Sequence, residues 1–283
     1  MNKRTTLLMG AVAYDPKVVN IWEGFRQYFS QKQLDFDYIL YSNYEQQVEA
    51  LLAGHIDVGW NSPLAWLQVE CIAKKMGQRS EAICMRDTDC DLTSVIIVKD
   101  DSRLNKLAEL KDRRIGVGAK DSPQACLIPL NYIANSGLDP NKQIEVVEYD
   151  VLPGKHGDHI GGERKAAQAL LSGTIDAACL IDSNYLAFSL DGSLPSSSVR
   201  VLDRTPHYDH CNFTVLEGNC TKLIKHFRKL LLEMSYSDPN VRPLLDLEGL
   251  KQWLPGRTTG YEQLETAVKR FGTLEPFIRR FNL

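Results

Sequence analysis

Short apolar runs alternate with amphipathic stretches along this chain, the pattern of an open β-α-β sheet. TLLMGAVAY (6–14), LDFDYILYS (34–42), IDVGWN (56–61), TSVIIVKD (93–100) and RRIGVGA (113–119) predict strands, and 18–32 and 43–53 predict helices. A second β-α-β series follows and ends near Val201. The chain then returns through a strand at NFTVLEG (212–218) and helices over 219–236 and 261–273.

The pattern also repeats. VEALLAGHIDVGWNSPLAW (48–66) and AQALLSGTIDAACLIDSNYLAF (167–188) share A-L-L-x-G-x-I-D followed by a short apolar run and a serine. Each copy reads as an amphipathic helix stopped by a glycine (Gly54, Gly173), an Ile-Asp turn and a buried strand. One copy in each half predicts an α/β fold of two Rossmann-like lobes with a central cleft. The boundaries drawn from this are 1–95 plus 212–283 for lobe 1 and 96–211 for an inserted lobe 2, with hinges near 94–98 and 211–216.

A length of 283 residues suits two lobes of ordinary size. A net charge of −3 with both signs interspersed gives no electrostatic footprint for nucleic acid, so the expected partner is small. The seven cysteines (Cys71, Cys84, Cys90, Cys126, Cys179, Cys211 and Cys220) form no C-x-x-C pair, and their odd number argues against a disulfide framework. MNKRTTLLMGAVAY imitates a secretory signal, but its apolar stretch, Leu7 to Val12, is short and broken by Gly10. It is read as a first strand leading to a turn at Asp15-Pro16. No stretch approaches the roughly 20 apolar residues of a membrane span, and the expected location is cytoplasmic.

GAVAYDP, YSNYEQQVEALLAGHIDVGWNSPLAW, LAELKDRRIGVG, ALLSGTIDAACLIDSNY and MSYSDPNVRPLLDLEGLKQWLP occur in this order over most of the chain. Together they resemble the phosphate, phosphite and phosphonate solute-binding proteins of ABC importers. The resemblance implies the type 2 periplasmic-binding fold, an anionic ligand between the lobes, and an ABC permease as partner if the chain is exported. It also implies an anion held by hydroxyls and backbone N–H groups at a helix start in lobe 2. A helix start suits this because its first N–H groups lack intrahelical acceptors. The matching stretch here is GAKDSPQAC (118–126). Ser122 keeps a hydroxyl, Lys120 adds charge, and Pro123, Gln124 and Ala125 replace the family's Ser-Thr-Ser-Gly-like run. Ser122 before Pro123 reads equally well as a plain N-cap.

The lobe 1 candidates are Tyr14, Tyr44, Asn61, Ser62 and Trp66, at strand ends or helix starts. Asp182 and Tyr185 follow the second copy of the repeat. The resemblance implies ligand contacts near Tyr44 and Asp182, whereas a structural tryptophan or a capping aspartate is the plain alternative.

The densest chemistry is KHGDHIGGER (155–164). Were it helical, His156, His159 and Glu163 would share one face and form a metal triad for iron or zinc. Gly157, Gly161 and Gly162 favour a loop instead. The resemblance implies a ligand-contacting histidine here, with His156 and His159 as candidates. Three readings stand: histidines that close over an anion, a metal or catalytic cluster using His156 and His159, and a glycine-rich turn capped by Asp158. HYDHC (207–211) adds His207, His210 and Cys211, and by itself reads as structural. The functional expectation is a small-molecule binding protein that closes its two lobes on an anionic metabolite. The alternative is a cytoplasmic enzyme on the same fold, metal-dependent or acting on a phosphorylated or carboxylated small molecule.

Overall fold

A computed structural model describes residues 5–218 and 222–281. Cys220, the basic start Met1 to Arg4 and positions 219–221 of the predicted 219–236 helix lie outside the described residues. The elements run β1 (Leu7–Val12), α1 (Lys17–Gln31), β2 (Phe36–Tyr41), α2 (Tyr44–Leu52), β3 (Val58–Asn61), α3 (Pro63–Lys75), β4 (Ser80–Arg86), β5 (Ser94–Lys99) and β6 (Arg114–Val117). They continue with α4 (Ile128–Asn135), β7 (Glu145–Glu148), α5 (Gly161–Leu171), β8 (Ala177–Ile181), α6 (Asp182–Leu190), β9 (Val199–Arg204), β10 (Asn212–Leu216), α7 (Lys222–Leu232), α8 (Arg242–Glu248), β11 (Trp253–Pro255), α9 (Glu262–Phe271) and α10 (Glu275–Ile278). No described helix is long and apolar enough to cross a membrane.

The chain divides into two compact units. Unit 1 comprises Met1–Cys90, Asp209–Tyr261 and Leu274–Leu283, and unit 2 comprises Asp91–Tyr208 and Glu262–Thr273. This corrects the boundaries drawn from the sequence in two places. The segments read as hinges are paired strands: β5 lies between β8 and β9 in unit 2, and β10 lies between β3 and β4 in unit 1. The chain passes between the units at Cys90–Asp91, Tyr208–Asp209, Tyr261–Glu262 and Thr273–Leu274. Residues 262–273, assigned to lobe 1 with the rest of the C-terminal segment, belong to unit 2. There Phe271 packs on the core that holds Ile133, and Arg270 donates to Asn135 Oδ1 at 2.7 Å.

The six-stranded sheet of unit 1 has the order β2-β1-β3-β10-β4-β11. β1 runs parallel to β2 and β3, and β10 is antiparallel to both of its neighbours. One core cluster is aromatic: Trp22, Phe25 and Phe29 of α1 meet Trp60, Phe213, Phe227 and Trp253. A second cluster joins Val48 and Leu51 of α2 to Val69 and Ile72 of α3 and to Phe277.

The five-stranded sheet of unit 2 has the order β7-β6-β8-β5-β9. β6 is parallel to β7 and β8, and β5 is antiparallel to β8 and β9. Position by position, β7-β6-β8-β5-β9 repeats β2-β1-β3-β10-β4. The sequence repeat explains why. Gly54 and Gly173 adopt φ of 71° and 75° and end α2 and α5 in the same way. Asp57 and Asp176 then do one job in each unit. Asp57 Oδ2 accepts from Leu8 N at 2.9 Å and Asp176 Oδ2 accepts from Arg114 N at 2.8 Å, and each aspartate's N–H donates back to the same residue's carbonyl. The aspartate of each copy thus fixes the start of the neighbouring parallel strand.

Candidate functional site

In unit 2 the buried polar residues gather where β6 leads into α4. Between them lies a widened turn, Pro123–Leu127, with i→i+5 hydrogen bonding: Leu127 N donates to Ser122 O at 3.0 Å. Such turns are frequent at functional sites. Ser122 is fully buried and its Oγ accepts from Ala125 N at 3.1 Å, the N-cap bond that Ser-Pro predicts. The turn is held from beneath by Ser94 of β5, whose hydroxyl donates to Gln124 O and lies 2.7 Å from the Tyr208 hydroxyl. Burial pushes the Tyr208 phenol far above its usual range, so it remains a neutral hydrogen-bonding group.

The 149–160 loop lies over this helix start. Gln124 Nε2 donates to Gly157 O at 2.7 Å, and Asp121 Oδ2 accepts from Gly154 N. Gly157 has φ of 78°, and a Cβ there would stand 2.1 Å from Ser122 Oγ, so only glycine permits this approach. His156 is fully buried with φ of 50°, a conformation that costs a side-chain-bearing residue on the order of 1–3 kcal/mol. Lys155 beside it is 9% exposed. Burial lowers its pKa, with Asp158 opposing that shift. A buried lysine and a strained, buried histidine thus immediately precede the glycine that packs on the Ser122 turn.

The helical metal triad is not formed. α5 begins at Gly161, leaving His156 and His159 in the loop with no common helical face. His159 Nδ1 accepts from Gly161 N at 3.0 Å, and Glu163 Oε2 accepts from Ile181 N at 2.9 Å. Among the described residues, these three are not gathered as a set of metal ligands. The helix starts late because His156 and Gly157 hold φ of 50° and 78°, which a right-handed helix does not accommodate, and its first turn is closely packed. A Cβ on Gly162 would lie 2.6 Å from Tyr149 O and 3.2 Å from Ala119 N.

Of the other unit 2 candidates, Ser122 and Gln124 join the seat. Lys120 pairs with Asp150 at 3.8 Å. Asp182 is the first residue of α6, with no side-chain cap bond, and its carboxylate is engaged by Arg204 Nη1 and Thr93 Oγ1. Tyr185 is half-buried against the cluster of Leu170 and Phe188. His207 Nδ1 lies 2.7 Å from Asp91 O.

In unit 1, Tyr14 is half-buried at the end of β1, with Lys17 Nζ 6.0 Å above its ring. Tyr44 and Trp66 are buried, Tyr44 in the second apolar cluster and Trp66 against Tyr261. Ser62 is the N-cap of α3 and accepts from Ala65 N at 3.2 Å. Asn61 belongs to a buried polar group that sequence reasoning missed. Gln47 Nε2 donates to Asn61 Oδ1 at 2.7 Å and to Trp60 O at 2.8 Å, while Gln47 Oε1 and Asn61 Nδ2 have no protein partner. On the neighbouring strand Asn212, paired with Asn61, donates to the Tyr261 hydroxyl at 2.9 Å. Ser94, Gly157 and Tyr208 were also missed. A serine opening the apolar run of β5 was the available signal.

Residues 10–261 match the family described as ABC transporter, phosphonate, periplasmic substrate-binding protein. No curated protein matches the chain significantly by sequence. Among solved structures, PhnD1 of Prochlorococcus marinus in complex with methylphosphonate is similar with a TM-score of 0.70 at 19% identity, covering 95% of this chain and 98% of that one. A binding protein component of an ABC phosphonate transporter from Pseudomonas aeruginosa gives 0.62 at 14%, covering 98% and 96%. The periplasmic aliphatic sulphonate binding protein SsuA of Escherichia coli gives 0.62 at 17%, covering 96% and 93%.

Proposed function

Because the chain belongs to the family of phosphonate-binding ABC transporter substrate-binding proteins, we propose that its unit 2 seat holds the anionic head of a phosphonate-like solute. The family match supports solute binding over the enzyme alternative. The observation that carries the assignment of the site is the loop of Lys155, His156 and Gly157 laid on the Ser122 helix start. Lys155 supplies charge, His156 a ring N–H, and the Pro123–Leu127 turn its dipole. Ser122 caps the turn, and Gln124 fastens the loop through Gly157. Asp182 and Tyr185 stand at the start of the neighbouring helix and are proposed to meet the ligand's organic end. Within unit 1, Tyr14, Tyr44, Asn61, Ser62 and Trp66 are proposed as ligand-binding residues.

An ABC permease is the proposed recipient of the solute, which requires the protein to reach the compartment that the permease faces. Fractionation of the source cells tests this against the cytoplasmic location expected from the sequence. For the ligand, isothermal titration with methylphosphonate, inorganic phosphate and methanesulfonate is the direct test. A charge-assisted hydrogen bond contributes about 1.5–3 kcal/mol, so Lys155→Met should weaken the preferred anion about 10- to 150-fold. Absence of binding by all three anions, or equal affinity in Lys155→Met and His156→Ala, would overturn the assignment.

A further inference from the structure

A second chemical centre lies within unit 1, built from residues that the anion seat does not use. β4 ends at Arg86, and a 3-10 turn over Asp87–Asp89 follows it. The antiparallel strand β10 begins just after His210 and Cys211. Pairing of β4 with β10 brings these ends together, and His210 N donates to Asp89 O at 2.8 Å. The side chains converge as well. His210 Nδ1 lies 3.1 Å from Cys211 Sγ and 3.4 Å from Asp89 Oδ1, and one ligand atom from each residue falls within 4.8 Å of the others. All three are buried.

The geometry points to a divalent metal site of the zinc class, with Cys211 Sγ, His210 Nδ1 and an Asp89 oxygen as protein ligands and one position left for an exchangeable ligand. Zinc bonds of about 2.0–2.3 Å at tetrahedral angles put ligand atoms about 3.3–3.8 Å apart. The nitrogen-to-sulfur and nitrogen-to-oxygen distances are already close to that range, so modest side-chain rotation completes the set. The surroundings are those of a supported ligand shell. Arg86 holds Asp89 through Nε (2.6 Å) and Nη2 (2.9 Å), and Glu248 takes the guanidinium at 3.2 Å. Each Asp89 oxygen retains a lone pair.

The charges also balance. Arg86 is offset by Glu248, leaving Asp89 and a Cys211 thiolate to match a dication. Binding releases the thiol proton to solvent, and the imidazole carries its own proton on Nε2. Tyr261 donates to His210 O at 2.8 Å and fixes the backbone between the ligands. Asp209, one residue away, pairs with Arg257 through both of its oxygens at 2.6 Å and does not converge with the three ligand atoms.

Cobalt(II) titration of chelator-stripped full-length protein tests the site. One cobalt per chain should bind with a thiolate-to-cobalt charge-transfer band and the intense visible absorption of a tetrahedral ion, and zinc should displace it. Cys211→Ser should abolish the charge-transfer band, and Cys71→Ser should leave it unchanged. Zinc should raise the melting temperature of the wild type and not that of Cys211→Ser. His210→Gln, which keeps the thiol, should lose the tetrahedral visible absorption, so the test stands even where Cys211→Ser fails to fold. Absence of the charge-transfer band in the wild type, or its survival in Cys211→Ser, would overturn the site. Neither result bears on anion binding in unit 2.

Discussion

Replacing Gly162 with alanine sets two known effects against each other. In a helix, alanine in place of glycine is favourable by about 0.8–1 kcal/mol, and Gly162 is the second residue of α5. The added Cβ would nevertheless stand 2.6 Å from Tyr149 O and 3.2 Å from Ala119 N. Both obstacles are backbone atoms and cannot swing aside. Relieving them means moving the start of α5 away from the end of β6, an overpacking change of about 1–3 kcal/mol. With the helix gain subtracted, the net loss is about 0–2 kcal/mol. The measurement is the urea midpoint of ligand-free protein, compared with Gly54→Ala. At Gly54 nothing lies within 4 Å and φ is 71°, so the cost is conformational alone. The Gly162→Ala variant should also weaken anion binding, because the crowded Tyr149 carbonyl opens the 149–160 loop. A raised urea midpoint in Gly162→Ala would refute the close approach of the first turn of α5 to Tyr149 and Ala119.

Asp57→Ala and Asp176→Ala should each cost about 1–2 kcal/mol in denaturant unfolding, since each removes the acceptor of a strand-initiating N–H; a cost confined to one would contradict their equivalence. Lys155 gives a pH test. Its folded pKa is lowered by burial, so above the folded value the unfolded chain binds more protons, and ligand-free stability rises with pH until the unfolded lysine also titrates. A bound anion favours the charged lysine, so affinity should fall as pH rises through the same window. Lys155→Met should flatten both curves, measured by calorimetry across alkaline pH. Burial pushes the Cys84 and Cys179 thiols up to about 12, so neither should react with an alkylating agent in native protein near neutral pH, whereas half-exposed Cys71 should react. Mass mapping after alkylation reads this directly.

Most of the fold was legible because its signals are local. Apolar runs bounded by turns gave β1, β2, β3, β5, β6 and β10 within two residues at each end, and the repeated A-L-L-x-G-x-I-D marked equivalent positions in the two sheets. β4 and β11 passed unnoticed, the first opening on polar Ser80 and Glu81 and the second having only three residues. The unit boundary was misplaced because an apolar strand reads identically whichever sheet it joins. α9 illustrates the same limit: Leu264, Ala267 and Val268 announce a buried face but not which core covers it.

The candidate site was legible in outline and misread in geometry. Ser122 as a cap followed from the Ser-Pro pair, and the histidines near it followed from their density. The triad of His156, His159 and Glu163 required helical register throughout, and the positive φ of His156 and Gly157 keeps that segment out of the helix, as its glycines suggested. His210 and Cys211 looked bland because their third partner, Asp89, is distant in sequence and arrives only through the pairing of β4 with β10.

The loop of residues 149–160 has one further consequence. In unit 1 the corresponding step from β2 to α2 takes only residues 42 and 43, so the shared frame folds without such a loop. The loop residues proposed to hold the anion are therefore distinct from those that build the sheet of unit 2. On the proposed assignment, substitution within 149–160 should retune ligand preference while the pinning aspartates, helix-ending glycines and strand cores stay as they are. Exchange of this segment among proteins of the same architecture should carry selectivity with it.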